Sequence, residues 1–313
     1  MSAIIALAVG LVLLAWAADQ FVIGAARIAV LRRLPPLVVG AVIIGFGTST
    51  PELLVSTFAA GTGNVGIAVG NIVGSNIANL SLLLGIGAVI VPIVVSSSTV
   101  RREAPITVGA MAAFAWLVRG GIGWLEGIAL LGGFVVAMAA ILRSSAGGGS
   151  EDRLGVDAAE LVDAPAHRMR VEVIRTSGGL VGTVVGAQVL LWGAVAVAAD
   201  LGLDEGFVGV TLVAVGTSLP ELTTVVQSAR RRETDLLVGN LLGSNLFNAL
   251  AVGGIVGLVS GGAMPGAAAP RAALLAVVVS VVAWIAMRTG RALRRWEGVA
   301  LVGLYAATIP LMA

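Results

Sequence analysis

Long apolar runs, broken by short polar or arginine-bearing stretches, set the pattern of this chain from its first residues. A bilayer core of about 30 Å takes roughly 20 apolar residues per helix. Reading on that scale predicts ten spans, approximately 3–30, 37–60, 65–93, 104–118, 124–142, 173–199, 207–229, 234–259, 271–287 and 296–312. The fourth and the last two are short. The N-terminus, Met1-Ser2-Ala3-Ile4, lacks the basic region of a cleaved leader, so the first run is expected to stay as a spanning helix. The predicted class is an all-α polytopic membrane protein. One polar stretch stands out, about 144–170, where Ser144, Ser145 and three glycines lead through Glu151, Asp152 and Asp157 to His167. Its glycine, serine and mixed charge read as a solvated connector.

Arginine supplies an independent check on the count. All nineteen basic residues are arginines. With the N-terminus outside, seventeen fall in or beside the alternate loops that should be cytoplasmic, among them Arg27, Arg101, Arg143, Arg175, Arg230 and Arg294. Only Arg119 and Arg271 fall on the other side. That is the bias of the positive-inside rule, and adding or removing one span would scramble it. The expectation is a multi-pass protein of the plasma membrane with both termini outside and residues 144–170 in the cytoplasm.

Composition agrees and closes off other classes. Charged residues are 12% of the chain and hydrophobic ones 58%, against about 25% charge in soluble domains. The mean hydropathy is +1.03. A pI near 10.3 invites a nucleic-acid reading, but the net charge is only +2 and the arginines sit where orientation requires them. The absence of cysteine excludes disulfides, thiolate metal sites and thiol catalysis. With His167 the only histidine, HExxH-type zinc chemistry is excluded too. No nucleophile–base pair and no phosphate loop is visible, so neither enzyme chemistry nor a cofactor is expected. No obligate protein partner is evident. Asn79-Leu80-Ser81 matches a glycosylation sequon but lies inside a predicted span.

The chain repeats itself. Gly47-Thr48-Ser49-Thr50-Pro51-Glu52-Leu53 is answered by Gly216-Thr217-Ser218-Leu219-Pro220-Glu221-Leu222. Gly70-Asn71-Ile72-Val73-Gly74-Ser75-Asn76-Ile77-Ala78-Asn79 is answered by Gly239-Asn240-Leu241-Leu242-Gly243-Ser244-Asn245-Leu246-Phe247-Asn248. Every pair is separated by 169 positions, an offset that Gly24/Gly193, Gly40/Gly209 and Gly85/Gly254 keep. The chain therefore divides into a first repeat, 1–143, the linker 144–170 and a second repeat, 171–313. Five spans per half is an odd number, so the second half enters the membrane from the opposite face. Such inverted repeats are used by many secondary transporters, whose ion sites lie near the midplane where interrupted helices from the two halves meet.

The repeated segments also carry the chemistry. Pro51 and Pro220 precede the two glutamates, and a proline in a helix removes a donor and displaces a carbonyl one turn upstream. A freed carbonyl at membrane depth needs protein, water or an ion to satisfy it. Thr48 and Ser49 stand at i−4 and i−3 from Glu52, and Thr217 and Ser218 likewise from Glu221, which places hydroxyls and carboxylate on one helix face. Ser75 and Asn76 precede Asn79 at the same spacings, as Ser244 and Asn245 precede Asn248. These are hard oxygen donors, suited to Ca²⁺, Na⁺ or Mg²⁺ and not to zinc or copper. A charged group at the bilayer centre costs at least about 2.5–3.5 kcal/mol. Two at symmetry-related positions imply a cation or proton partner. Asp19, paired in the repeat with Gln188, is a lesser candidate.

At these residues the chain resembles the calcium/cation antiporter superfamily, specifically the prokaryotic sodium/calcium exchangers with two α-repeats, and the resemblance covers the whole chain. It implies Glu52 and Glu221 as principal calcium ligands. Thr48, Ser49, Thr217 and Ser218 would add hydroxyl or backbone oxygens, and Gly45 and Ala214 carbonyls. Asn79, Ser75, Ser244 and Asn248 would complete the calcium and flanking sodium sites, and the first helix with its repeat partner would slide across this core. Where such exchangers often carry Asp, this chain has Asn248, opposite Asn79. The implied activity is alternating-access export of Ca²⁺ against Na⁺. A proton-coupled cation antiporter and a gated cation channel are the alternatives.

Overall fold

A computed structural model describes residues 2–32, 45–95, 99–145, 169–266, 268–289 and 292–312. Residues 146–168 of the predicted linker, with His167, and residues 37–44 of the predicted second span, with Gly40, lie outside the described residues. The first half comprises α1 (Ser2–Leu31), α2 (Gly45–Thr48), α3 (Thr50–Gly61), α4 (Val65–Ala78), α5 (Leu84–Ile90), α6 (Ala104–Leu117) and α7 (Trp124–Ser145). The second comprises α8 (Met169–Leu201), α9 (Glu205–Val208), α10 (Ala214–Thr217), α11 (Leu219–Arg231), α12 (Thr234–Leu246), α13 (Gly253–Val259), α14 (Ala268–Arg288) and α15 (Arg295–Met312). Shifted by 169, the bounds of α3, α4 and α5 fall on those of α11, α12 and α13 to within a residue. The sequence repeat is thus a repeat of elements.

Six helical stretches are long and apolar enough to cross a membrane, or seven if the bent stretch of Glu205–Thr217 with Leu219–Arg231 counts as one. Length explains part of the difference from ten predicted spans. α6 has 14 residues, about 21 Å at 1.5 Å per residue, and reaches further only through a wide π turn at Thr99–Glu103.

Burial separates centre from periphery. The stretch Val65–Ile90 is 83% buried and Thr234–Val259 72%, against 11% for Trp124–Ile141. The two central stretches are therefore enclosed by protein, while α7 turns Val135 and Val136 outward. Gly66, Gly70 and Gly74 let α4 lie against the backbone at Gly206, Gly209 and Val210. Side chains on that stripe would hold the helices apart.

The two longest helices, α1 and α8, form their own seam. A Cβ on Gly186 would lie 2.7 Å from the Leu14 nitrogen, and one on Gly193 2.5 Å from the Leu7 nitrogen. Gly10 likewise meets the backbone of Leu190, and Gly179 that of Phe21. As numbers rise on one helix they fall on the other, so these two repeat-related helices pack antiparallel. Gly85 against Gly298 and Gly254 against Gly127 are further close approaches, each between the two halves.

Two straps tie the halves together. Ile93–Val94 pairs antiparallel with Ala292–Leu293. The segment equivalent by repeat is held by Ile122 N–H donating to the Ala263 carbonyl at 3.4 Å and by the Ser260 hydroxyl bonding the Ile122 carbonyl.

Candidate functional site

The helix breaks at the serine of each repeated motif. Ser49 (φ −87°, ψ 9°) and Ser218 (φ −84°, ψ 11°) leave helical geometry, and in the second repeat the two pieces bend by 46°. Pro51 and Pro220 then occupy the first turn of α3 and α11. There a missing N–H costs nothing, because first-turn donors have no partner within the helix. This corrects the expectation of a proline inside a continuous helix: the interruption is real, but the proline begins the second piece. Glu52 and Glu221 consequently stand in a first turn, where the helix dipole favours negative charge.

The hydroxyls reach across the repeat interface. Ser49 Oγ donates to Glu221 Oε1 at 3.0 Å, and Ser218 Oγ donates to Glu52 Oε1 at 3.0 Å. Thr217 lies beside Glu52, and Thr48 and Ser244 beside Glu221. The spacing argument had put each hydroxyl with the carboxylate of its own helix. The break at Ser49 and Ser218 redirects them to the opposite half. Both glutamates are fully buried.

Ser75 joins the first carboxylate at 3.4 Å and also reaches the Ala214 carbonyl at 3.5 Å. That carbonyl is engaged as well by the Thr217 hydroxyl at 3.2 Å and the Ser218 N–H at 3.1 Å. Gly45 opens α2, one turn before the break. Asn79 and Asn248 fall in π-helical turns, Asn79–Leu83 and Phe247–Val252. Such turns insert a residue and re-aim side chains, often at functional sites. Asn79 Nδ2 donates to Asn245 Oδ1 at 2.9 Å, and Asn245 Nδ2 donates to the Asn76 carbonyl at 3.0 Å.

What this network leaves over is decisive. Glu52 Oε2, Glu221 Oε2, Asn79 Oδ1, Asn248 Oδ1 and Ser244 Oγ are buried without a hydrogen-bond partner among the described residues. Buried polar atoms are normally paired, and each unpaired one is costly. Here five hard oxygens, two of them charged, occur on the same repeated segments. No cluster of three or more His, Cys, Asp or Glu occurs among the described residues. The donor set is therefore two carboxylates supplemented by neutral oxygens.

Two network residues were not among the predicted site residues. Asn71 donates to Ser56 Oγ at 2.9 Å and to the Glu52 carbonyl at 3.4 Å, and accepts from the Thr217 hydroxyl at 3.0 Å. Asn245 braces Asn79. Their signal was present, since both belong to the repeated Gly-Asn and Gly-Ser-Asn sequences. Asp19 is exposed on α1, bonded by Gln20 at 3.2 Å. Further along the seam, Glu172 is fully buried between Arg27 (3.5 Å) and Arg175 (3.8 Å).

The description Sodium/calcium exchanger protein belongs to a family that matches residues 2–143 and 174–312. CaxA of Alkalimonas amylolytica, provisionally named an antiporter, is 35% identical over 94% of this chain and 93% of its own. The sodium/calcium exchanger MaX1 of Methanosarcina acetivorans is 27% identical over 98% of this chain and 97% of its own. Among solved structures, the sodium-calcium exchanger NCX_Mj, soaked with Na⁺ and Sr²⁺, superposes with a TM-score of 0.65 at 27% identity, covering 99% of this chain and 98% of that one.

Proposed function

Because the chain belongs to the sodium/calcium exchanger family, we propose that it is a secondary antiporter moving Ca²⁺ across the plasma membrane in exchange for Na⁺. The observation that carries this reading is the pair of buried glutamates, each held by the other repeat's serine and each keeping one unpartnered oxygen. Ca²⁺ takes six to eight oxygens, carboxylate, amide, carbonyl or hydroxyl. Glu52 and Glu221 match its charge. Asn79, Asn248, Ser75, Ser244, Thr48, Ser49, Thr217 and Ser218, with the carbonyls of Gly45 and Ala214, are the neutral donors from which its shell and the sodium sites are drawn. Neutral amide and hydroxyl oxygens suit Na⁺, which needs no full charge per ligand.

Ten crossings in two inverted halves fit the antiparallel seam of α1 and α8. They put the site at the midplane and offer two related conformations, open to either face. Both termini lie outside and residues 144–170 in the cytoplasm. Transport needs neither covalent chemistry nor a cofactor. In proteoliposomes, an outward sodium gradient should drive calcium uptake, whereas a pH gradient alone should not. Uptake that follows only the pH gradient replaces sodium by protons as the coupling ion. Orientation is tested by Ser150→Cys, since the chain has no other cysteine: labelling by an impermeant reagent from outside intact cells overturns it.

A further inference from the structure

We infer that Asp19 and Gln188 stand in the two water-filled approaches to the site, one on each side of the membrane midplane. Asp19 collects cations on the face that carries residues 144–170, and Gln188 is its neutral counterpart on the other. The inference rests on the transport reading above and adds its routes of access.

The level of these two residues follows from two relations between positions. On the seam, Gly10 meets Leu190, Leu14 meets Gly186 and Phe21 meets Gly179, so a step up one helix is a step down the other. Repeat partners, by contrast, keep a constant separation of 169. Both relations hold at once only where Ala15 and Trp16 face Val184 and Val185. In an inverted pair that is the level of the pseudo-two-fold axis, and hence of the midplane. Asp19 and Gln188 are repeat partners three to four residues from it in opposite directions, about 5 Å at 1.5 Å per residue.

Both are exposed, at the level where exposure to lipid is most costly. A charged group there costs at least about 2.5–3.5 kcal/mol, and intramembrane acids face the protein interior or a water-filled cavity. No basic residue pairs with Asp19 among the described residues: Arg27 and Arg175, two arginines of the seam, pair with Glu172. Its hydrogen bond comes from the neighbouring Gln20 amide at 3.2 Å. One turn on, Val22 packs against Gly47, two residues before the break at Ser49. Gln188 precedes Leu191, the buried counterpart of Val22, by the same spacing. An exposed polar side chain at this level, one turn from a broken helix, fits the wall of a hydrated path and not a lipid-facing surface. Charge makes the two approaches unequal. A carboxylate in a cleft with low-dielectric walls raises the local cation concentration, while an amide does not. Calcium is thus drawn in from the face of residues 144–170, the face from which export would start.

The test uses Asp19→Cys and Gln188→Cys, made separately in the cysteine-free chain, in membrane vesicles of either orientation. A charged, impermeant thiol reagent should label the Asp19→Cys variant from the same face as Ser150→Cys, and the Gln188→Cys variant from the opposite face. No labelling of either means that both face lipid, which overturns the inference whatever the transport result. Labelling of both from one face overturns it too. The second arm is side-specific transport. Asp19→Asn should raise the half-saturating calcium concentration about tenfold on the face of residues 144–170 and leave the other face unchanged, with Asp19→Glu restoring it. Gln188→Glu should lower it on the opposite face by a similar factor. An equal change on both faces from Asp19→Asn overturns the collecting role. Absence of calcium transport in the wild type overturns the transport reading alone, since labelling reports access without it.

Discussion

The two halves of the site carry the same carboxylate on the same kind of broken helix, yet they are braced differently. Around Glu52, Asn71 ties together Ser56, the Glu52 carbonyl and the Thr217 hydroxyl. At the positions 169 residues on, Asn240 replaces Asn71 but Val225 replaces Ser56, and Asn240 Nδ2 has no partner among the described residues. Ser75 stands 3.4 Å from Glu52 Oε1, and its counterpart Ser244 stands beside Glu221. Repetition thus delivers equal charge to both halves but gives only the first the Asn71–Ser56 brace. The comparison teaches that charge and rigidity are set by different residues: the glutamates by a motif retained in both copies, the bracing by neighbours free to diverge.

Equality of charge is tested by the largest effect. Glu52→Gln and Glu221→Gln keep side-chain size and remove half the charge of the site. Each should reduce calcium uptake more than about 100-fold, a loss of about 2.7 kcal/mol or more. Calorimetric calcium binding by the purified variants should vanish with it. Binding retained in one variant alone would show that a single carboxylate holds the ion, and the halves would then differ in charge as well as in bracing.

Inequality of bracing comes next. Asn71→Ala strands the Ser56 hydroxyl, leaves the Thr217 hydroxyl to the Ala214 carbonyl and withdraws a donor from the Glu52 carbonyl, which should cost about 1–3 kcal/mol. Asn240→Ala removes an amide nitrogen that bonds nothing among the described residues, and should cost about 1 kcal/mol or less. Thermal unfolding in detergent, with calcium affinity measured alongside, would show the first variant losing both and the second neither. Equal losses would erase the distinction between the braced half and the other.

Ser56→Val makes the first half resemble the second and should have an intermediate effect, about 1–2 kcal/mol, by leaving Asn71 Nδ2 with only its 3.4 Å contact to the Glu52 carbonyl. Added to Asn71→Ala it should cost little more, because the two residues share one hydrogen bond. Full additivity in the double variant would mean that the bond at 2.9 Å contributes nothing.

How much of this was legible beforehand follows from what each feature depends on. The 169-residue repeat, the glutamates and the break near Pro51 and Pro220 are written in local sequence, because motif identity and proline chemistry need no tertiary information. The direction of the serine bonds was not. Spacing places Ser49 near Glu52 only if the helix is continuous, and the helix ends at that serine. The π turns at Asn79 and Phe247 have no sequence signature in the spacing used, since one inserted residue leaves hydropathy unchanged. The pairing of Arg27 with Glu172 joins residues far apart in the chain, and only the antiparallel seam brings them together. Asn71 belongs to the same repeated segments as the candidate ligands. It holds other residues in place, which spacing from a glutamate does not reveal.

The smallest effect is also the sharpest test of the comparison. Val225 is fully buried on α11 at the position equivalent to Ser56. Val225→Ser offers the unpartnered Asn240 Nδ2 the acceptor that Ser56 supplies to Asn71. The substitution loses buried apolar area, at about 25 cal/mol per Å², and gains a hydrogen bond worth about 1 kcal/mol. The two nearly cancel, so thermal stability should change by less than about 1 kcal/mol in either direction. The informative quantity is the coupling in a cycle of Val225→Ser, Asn240→Ala and both together. A new bond predicts a favourable interaction of about 0.5–1.5 kcal/mol between the two positions, with slower calcium exchange because the second half is now braced like the first. A coupling near zero would mean that Asn240 does not stand toward position 225 as Asn71 stands toward Ser56. The looseness of the Glu221 half would then lie in the backbone of α11 and not in the loss of one hydroxyl.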